Sequence, residues 1–168
     1  MVIALIGFMG SGKTTVGSKL STVLSYDLID LDQYIEEKAG RAIKDIFADE
    51  GEVSFRNKES AALEEVIREY STSRSKGLVL ACGGGTPLAK ANASLIKNTC
   101  VCVWVRASEA TLRGRLFGDE ALKRPLLKGR PFEEILAERG DIYSSLADIV
   151  IDTDNGPDEA VETLLKQL

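Results

Sequence analysis

The residues with the clearest chemical meaning form a glycine-rich segment near the beginning of the chain, Gly7-Phe8-Met9-Gly10-Ser11-Gly12-Lys13-Thr14. Its pattern, G-x-x-x-x-G-K-T, is typical of a phosphate-binding loop, because glycines let consecutive backbone N–H groups turn towards phosphate oxygens. In such a loop the lysine reaches the β- and γ-phosphates and the threonine hydroxyl binds Mg²⁺. The alternative is an ordinary glycine turn with a solvated lysine, which the apolar run before the segment and the helical pattern after it disfavour. Phosphate contacts are expected from Gly10, Ser11, Gly12, Lys13, Thr14 and Thr15.

Two carboxylates, Asp30 and Asp32, follow the second apolar run of the chain, Asp27–Ile29. If that run is a parallel strand, both carboxylates lie at the edge of the sheet where the phosphate loop also ends. Asp30 could then hold a Mg²⁺-bound water, while Asp32 could accept a hydrogen bond from a substrate hydroxyl and orient it for in-line attack. The alternative for Asp32 is a structural one, the N-cap of the following helix.

An arginine and a glycine triplet predict a second half to this site. Arg56 has Glu59 three residues further along a helical pattern, where the carboxylate could hold the guanidinium in place as a clamp for a ligand carboxylate. An exposed intrahelical ion pair is equally compatible with this spacing. Gly83–Gly85 follows the apolar run Leu78–Ala81, and three glycines favour close approach of a ligand to bare backbone N–H groups over a tight strand exit.

A basic stretch runs from Arg106 to Arg130 in an otherwise acidic chain. Phosphate charge would explain this clustering, although a solvated loop face is the alternative. Within it, Leu116–Gly129 is predicted to be a mobile lid whose Arg124 swings over the phosphates and excludes water. Further on, Arg139 and Tyr143 share one helix face, although an exposed helical arginine is an equally common outcome. The basic residues concerned are Arg113, Arg115, Lys123, Arg124, Lys128 and Arg130.

Short apolar runs alternate with helical patterns along the chain, which predicts an α/β fold with a five-stranded parallel sheet and helices on both faces. The expected strands are Val2–Ile6, Asp27–Ile29, Leu78–Ala81, Cys100–Val105 and Ile149–Ile151. The first helix should run from the phosphate loop to about Ser25, with Val16, Leu20, Val23 and Leu24 on its inner face. Further helices are expected at Gln33–Ala39, Ile43–Asp49, Val53–Tyr70, Ala91–Lys97, Glu109–Leu116, Phe132–Leu146 and Pro157–Leu168.

Composition limits the classes of partner. The 168 residues suit a single domain, and the net charge of −5 disfavours nucleic acids and anionic membranes, so a small molecule is the expected partner. Apolar runs are too short to span a membrane, and Met1 leads directly into the first strand, so we expect neither a membrane span nor a targeting peptide. Three cysteines without any histidine indicate a reducing compartment, the cytoplasm, and no zinc site.

Together these motifs resemble the shikimate kinase family along nearly the whole chain. The matching segments are the glycine-rich loop, Asp30-x-Asp32, Phe55-Arg56, Gly83–Gly85, Arg124-Pro125-Leu126-Leu127 and Arg139-x-x-x-Tyr143 followed by Ala147-Asp148. The resemblance implies phosphorylation of the 3-hydroxyl of shikimate by ATP, in the biosynthesis of chorismate and the aromatic amino acids. It also implies a three-layer P-loop kinase fold like that of nucleoside monophosphate kinases, forming one domain over residues 1–168, with a substrate-binding insertion at about 32–61 and a lid at about 112–126. A monomer is expected.

The resemblance assigns roles to individual residues. Lys13, Asp32 and Arg124 would be catalytic, and Thr14 with Asp30 would bind Mg²⁺. Arg115 would stack on the adenine, and the loop Thr153–Pro157, which contains Asn155, would lie on its other side. The acidic segment Asp152-Thr153-Asp154-Asn155 lacks an arginine that some members place there. Shikimate would be held by Asp32, Arg56, Gly83, Gly84, Gly85 and Arg139.

Three other functions remain open from the sequence. A gluconate or nucleoside monophosphate kinase would share the phosphate loop, but the carboxylate clamp and the glycine triplet disfavour it. A GTP-binding switch is disfavoured because the chain has no Asp-x-x-Gly and no Asn/Thr-Lys-x-Asp motif. A catalytically inactive binding module is disfavoured by the intact Lys13, Thr14 and Asp32.

Overall fold

A parallel sheet of five strands lies at the centre of the computed structural model, which describes residues 1–72, 76–118, 126–127 and 129–168. Its strand order is β2-β3-β1-β4-β7, so the phosphate loop leaves the middle strand. Strand β1 and its neighbour β3 are buried along their whole length, which explains their uninterrupted apolar sequences. The strands are β1 (Val2–Ile6), β2 (Asp27–Asp30), β3 (Leu78–Ala81), β4 (Val101–Arg106), β5 (Leu126–Leu127), β6 (Arg130–Pro131) and β7 (Ile149–Asp152).

Helices cover both faces of this sheet, as the sequence predicts. Alternate residues of β1 point to opposite sides: Ile3 and Leu5 pack with α1 and α7, while Ala4 and Ile6 join a larger core with α2 to α6. The fold is therefore three layers, helices, sheet and helices. The helices are α1 (Lys13–Leu24), α2 (Leu31–Ala39), α3 (Ile43–Thr72), α4 (Lys90–Thr99), α5 (Glu109–Phe117), α6 (Phe132–Leu146) and α7 (Pro157–Leu165), and a 3₁₀ turn spans Thr86–Leu88.

The predicted elements are confirmed with a few corrections. Helix α2 begins at Leu31, two residues before the predicted start, because the Asp30 side chain caps it by accepting hydrogen bonds from the backbone N–H groups of Asp32 and Gln33. The structural alternative for Asp32, an N-cap, is therefore wrong. Val23 is also not on the inner face of α1, since it is 58% exposed.

Two predicted helices, Ile43–Asp49 and Val53–Tyr70, follow one another without a loop as α3, and the predicted break between them is a single non-helical residue. The kink is at Gly51, whose backbone angles of φ 82° and ψ 174° are open to glycine and strongly disfavoured for other residues. The expected substrate-binding insertion at about 32–61 covers α2 and the part of α3 on both sides of the kink. Its boundaries remain a prediction.

The lid expected at about 112–126 begins inside α5 and stays a prediction. Residues 112–117 are the end of α5, and Leu126–Leu127 pairs antiparallel with Arg130–Pro131, a small ladder that the sequence analysis does not predict. Arg124 lies outside the described residues. In the part of the chain that the structure describes, none of the helices combines the length and the apolar character needed to cross a bilayer.

Candidate active site

The phosphate loop connects the middle strand β1 to helix α1. Gly7, Gly10 and Gly12 have φ values of 148°, 76° and 95°, a region that favours glycine. At Gly7 a Cβ atom would also lie 2.3 Å from the backbone oxygen of Val105, so close packing excludes any side chain there. The loop thus directs the positive end of α1 and its free N–H groups towards one point, which suits an anion.

Lys13 is turned into this loop. Its Nζ donates hydrogen bonds to the carbonyl oxygens of Gly7, at 3.0 Å, and Phe8, at 2.9 Å. Burial of the ammonium lowers the pKa of Lys13 to about 8, although the carboxylates of Asp32 and Asp30 favour its charged form. A phosphate group bound at the loop would give this ammonium an anionic hydrogen-bond partner in place of neutral carbonyl oxygens.

Thr14 and Asp30 bring two oxygen ligands together beside the loop. The Thr14 hydroxyl donates to Asp30 Oδ2 at 2.7 Å, while Oδ1 of the same carboxylate caps α2. Mg²⁺ prefers oxygen ligands and retains several waters, so one hydroxyl and one carboxylate beside bound phosphates fit this ion. No cluster of three or more carboxylate, cysteine or histidine ligands occurs among the described residues, and a magnesium site of this kind does not need one.

Asp32 lines a cleft of about 240 Å³ together with the glycine triplet. Burial, together with the negative charges of Asp30 and Glu59, raises the pKa of Asp32, whereas Lys13 and Arg56 act in the opposite direction. The carboxylate lies against the chain at Gly83, where a Cβ atom would be 2.7 Å from Asp32 Oδ1. The cleft is lined by Met9, Asp32, Ile43, Phe47, Phe55, Arg56, Glu59, Gly83, Gly84, Gly85 and Arg139.

Arg56 is held in this cleft by a buried carboxylate. Its Nη1 donates to Glu59 Oε2 at 2.7 Å, and Glu59, only 1% exposed, accepts at its other oxygen from the Thr86 hydroxyl at 2.6 Å. The guanidinium packs against Gly85, where a Cβ atom would lie 2.6 Å from Nη1 and Nη2. The ion pair predicted from the sequence therefore joins a half-buried arginine to a buried carboxylate, which fixes the orientation of Arg56.

Arg139 enters the same cleft from α6 and is itself buried. Its guanidinium lies 5.2 Å from the centroid of the Phe8 ring, which supports it through a cation–π contact. One turn further along, the Tyr143 hydroxyl donates to the carbonyl oxygen of Gly84 at 2.5 Å. This hydrogen bond ties α6 to the glycine triplet. Because Arg139 itself is only 9% exposed, the alternative of an exposed helical arginine is wrong.

A larger cleft of about 490 Å³ lies on the other side of the phosphate loop. Arg115 of α5 closes one end of it, donating to the carbonyl oxygens of Gly10, at 2.9 Å, and Thr153, at 3.1 Å. Thr153 is buried, and its hydroxyl donates to the carbonyl oxygen of Ser11 at 2.8 Å. The cleft is lined by Gly10, Gly12, Lys13, Thr14, Thr15, Val16, Arg115, Thr153 and Pro157.

Some predicted residues lie away from these clefts. Asn155 is exposed, and its amide donates to Glu159 at 3.0 Å. Two arginines of the basic stretch pair with carboxylates instead of facing a phosphate site: Arg113 with Glu109 and Glu133, and Arg130 with Glu134 and Glu138. For these two arginines the phosphate interpretation of the stretch is not needed.

Two threonines support the site in ways that the sequence analysis does not predict: Thr86 is not named there at all, and Thr153 is named only as part of the loop beside the adenine. Thr86 supports the Arg56–Glu59 pair and Thr153 supports the phosphate loop, both through long-range contacts. Only the position of Thr153 directly after a predicted strand could have signalled its role, because ligand sites collect there.

Comparison with known proteins finds a match over almost the entire chain. A family model for shikimate kinase matches residues 9–168. Shikimate kinases from Rhodopirellula baltica and Moorella thermoacetica are each 41% identical, over 96% and 98% of this chain and 87% and 92% of theirs. A solved structure of shikimate kinase from Acinetobacter baumannii in complex with shikimate has a TM-score of 0.84 at 31% identity, covering 99% of this chain and 91% of that one. The likeness therefore holds for both sequence and fold.

Proposed function

The chain belongs to the shikimate kinase family, and from that membership we infer that it transfers the γ-phosphoryl group of ATP to the 3-hydroxyl of shikimate, in the biosynthesis of aromatic amino acids. The observation that carries this inference for the acceptor is the cleft beside the phosphate loop. Arg56 and Arg139 both line it, and Asp32 lines it as well. A hydroxylated carboxylic acid needs cations for its carboxylate and an acceptor for its hydroxyls, and this cleft supplies both.

We propose that the two arginines bind the carboxylate of shikimate and that Asp32 accepts a hydrogen bond from its 3-hydroxyl. The raised pKa of Asp32 reflects a site that disfavours its charge, so a neutral hydroxyl donor is a suitable partner. Because phosphoryl transfer passes through a loose transition state, Asp32 contributes chiefly by orienting the hydroxyl for in-line attack. Gly83, Gly84 and Gly85 would form the wall against which the ring lies.

Lys13 would act on the donor side of the reaction. On binding, the phosphates would replace the carbonyl oxygens of Gly7 and Phe8 as partners of its ammonium, which then stabilises the charge on the transferred group. Arg124 would add positive charge from the lid, and Arg115 would contact the adenine. Thr14 and Asp30 would hold Mg²⁺, which neutralises charge on the β- and γ-phosphates when bound.

The decisive experiment is ATP-dependent phosphorylation of shikimate by the purified chain. We expect ADP release that depends on shikimate, a new phosphate-ester signal in phosphorus NMR, and loss of both when magnesium is omitted. A panel with gluconate and nucleoside monophosphates tests the alternative acceptors. Turnover of gluconate or a nucleotide without turnover of shikimate would overturn the assignment.

The cellular compartment and the oligomeric state of the enzyme are proposals. We propose a cytoplasmic protein, because its three cysteines, Cys82, Cys100 and Cys102, are all free thiols. Expression in a strain with an oxidising cytoplasm should give no gain in activity. We also propose that it is a monomer.

A further inference from the structure

Two residues of other elements hold the phosphate loop, Arg115 of α5 and Thr153, which directly follows β7. Arg115 Nη1 donates to the carbonyl oxygen of Gly10 at 2.9 Å. The Thr153 hydroxyl donates to the carbonyl oxygen of Ser11 at 2.8 Å. These are consecutive carbonyl groups of the loop, so two neighbouring peptide groups are each bound by a side chain from elsewhere in the chain.

Binding of these two carbonyl groups affects the backbone N–H groups that follow. If α1 began one turn earlier, the carbonyl of Gly10 would accept a hydrogen bond from the N–H of Thr14, since a helical bond spans four residues. The carbonyl of Ser11 would likewise accept from the N–H of Thr15. Neither bond occurs, and no side chain of the described residues caps the N-terminus of α1. The N–H groups of the first turn are therefore left for a ligand.

Thr153 is itself fixed by the sheet. It is only 2% exposed, and its N–H donates to the carbonyl oxygen of Arg106, the last residue of β4, at 2.9 Å. The guanidinium of Arg115 contacts both the hydroxyl oxygen of Thr153, at 3.3 Å, and its carbonyl oxygen, at 3.1 Å. The hydroxyl thus accepts from Arg115 and donates to the loop, which fixes its orientation.

From this arrangement we propose that Thr153 is a positioning residue of the phosphate site, with Arg115 as its partner. By binding two consecutive carbonyl groups, the two residues keep the loop open, so that the N–H groups at the start of α1 meet the phosphates of ATP. Because the peptide group is planar, holding the oxygen of Ser11 also fixes the direction of the Gly12 N–H. This role concerns the phosphates and not the base, and it rests on the proposed use of ATP.

Inorganic tripolyphosphate with Mg²⁺ is the probe that separates the phosphates from the base. In calorimetric titrations of the full chain, Thr153→Val should weaken the binding of tripolyphosphate and of ATP by the same factor, about tenfold, because a buried carbonyl loses its hydrogen-bond donor. The binding of shikimate should not change. Thr153→Ser keeps the hydroxyl and should restore the wild-type affinity.

Thr22→Val is the matched control. It makes the same substitution in the helix that follows the loop, at a threonine whose hydroxyl donates to the carbonyl oxygen of Ser18 at 2.9 Å. This variant should bind tripolyphosphate and ATP like the wild type. If Thr153→Val does not fold, Arg115→Lys is the second variant. Lysine keeps the charge but lacks the planar fork that bridges Gly10 and Thr153, so tripolyphosphate should again bind more weakly.

Three results would overturn the proposal. The first is an unchanged affinity for tripolyphosphate in folded Thr153→Val protein. The second is a loss of affinity for ATP alone, which would assign Thr153 to the base. The third is a folded Thr153→Ser protein that does not regain the affinity. Because binding is measured without turnover, a wild type that binds ATP without phosphorylating shikimate would overturn only the proposed function.

Discussion

At the scale of single residues, burial shifts the pKa values of Lys13 and Asp32 in opposite directions. The pKa of the ammonium is lowered and that of the carboxylate is raised, so the nucleotide-free site disfavours both charges. Each group can therefore gain from a ligand that stabilises its charged form. For Lys13 this is a phosphate anion, and for Asp32 it is a hydroxyl that donates a hydrogen bond. The pH dependence of ligand binding should report this.

ATP binding is expected to take up a proton above neutral pH. The pKa of Lys13 is about 8 in the nucleotide-free protein, so the ammonium is progressively lost as the pH rises through 8. Bound phosphates favour the charged form and raise this pKa, which requires a proton from the buffer. Calorimetry near pH 9, in buffers of different ionisation enthalpy, should show uptake of up to about one proton per ATP, and a weaker affinity than at pH 7.

Lys13→Arg is the matched variant for this measurement. Arginine stays charged at every accessible pH, so its proton uptake should be absent even if its affinity is reduced. Equal uptake in the arginine variant would assign the proton to another group and contradict the account of Lys13.

Asp32→Asn should separate activity from stability. Turnover should fall about a hundredfold because the acceptor hydroxyl loses its orienting carboxylate. The folded-state pKa of Asp32 is raised above its unfolded value, so its contribution to stability is full at low pH and is lost as the pH rises through the raised pKa. At pH 7 the variant should therefore melt at least as high as the wild type.

In this variant turnover should fall while the melting temperature at pH 7 does not. Thermal melts at pH 7 and at a pH below 4 should show that the stability difference disappears in acid, where the wild-type carboxyl is also protonated. A variant with normal turnover would remove the proposed role of Asp32, and one that melts lower at pH 7 would contradict the direction of its pKa shift.

Arg56→Ala should act on shikimate binding. The lost charge-assisted contacts predict a KM for shikimate about a hundredfold higher, with a much smaller change in kcat and in the KM for ATP. Because this change also leaves Glu59 buried without its ion pair, Arg56→Lys serves as a second variant that keeps the charge and loses the planar fork. Arg68→Ala, an exposed position on the same helix, is the control and should leave both constants unchanged. A fall in kcat alone would place Arg56 in the chemical step.

At the scale of elements, the alternation of apolar runs and helical periodicity was enough to predict the layers. Five strand-length runs and the length of the helical patterns carried that information, since each reflects local geometry. The topology then brought Lys13, Asp32 and Gly84 to one edge of the sheet, as expected for parallel strands. Local patterns predict such positions because every parallel strand ends on the same side.

The contacts that hold the site residues in place could not be predicted from the sequence in the same way. The hydrogen bond from Thr153 to Ser11 joins residues far apart in the chain, and the sequence contains no periodic signal for such a contact. Likewise, both Asp30 and Asp32 can cap a helix, and only the path of the chain after β2 decides in favour of Asp30. Arg139 also became a buried residue only through the packing of α6 against Phe8.

The kink of α3 at Gly51 lies between residues that line the cleft proposed to bind shikimate. Ile43 and Phe47 precede the kink and Arg56 follows it, and all three line the cleft. With φ 82° and ψ 174°, any side chain at this position is strained, so Gly51→Asn should cost about 1–3 kcal/mol of unfolding free energy and raise the KM for shikimate more than that for ATP. Chemical denaturation and steady-state kinetics measure both effects.

Gly40→Asn is the control for the kink. Gly40 ends α2 with φ 65° and ψ 22°, a left-handed conformation that asparagine tolerates, and a Cβ atom there meets nothing within 4 Å in the described part of the chain. A small change in stability and an unchanged KM are expected. Equal losses in the two variants would show that Gly51 has no special conformational role.

At the scale of the whole molecule, the two outer strands of the sheet carry charge where another chain would pair. Strand β2 begins with the exposed Asp27, and strand β7 ends with Asp152, which is paired with Arg106 at the surface. Charged residues on an edge strand oppose edge-to-edge association. Large apolar side chains that are exposed on these edges are single ones, Leu28 and Val150, among the described residues.

We therefore expect a monomer of 18.2 kDa in solution. Light scattering over a range of concentrations should give this mass throughout, because isolated exposed apolar residues bury too little area for a stable dimer. Replacing both edge charges, Asp27→Val with Asp152→Val, should make the mass rise with concentration, whereas Leu28→Lys should leave it unchanged. If the wild type doubles in mass and Leu28→Lys restores the monomer, the β2 edge is an interface and its charge does not protect it.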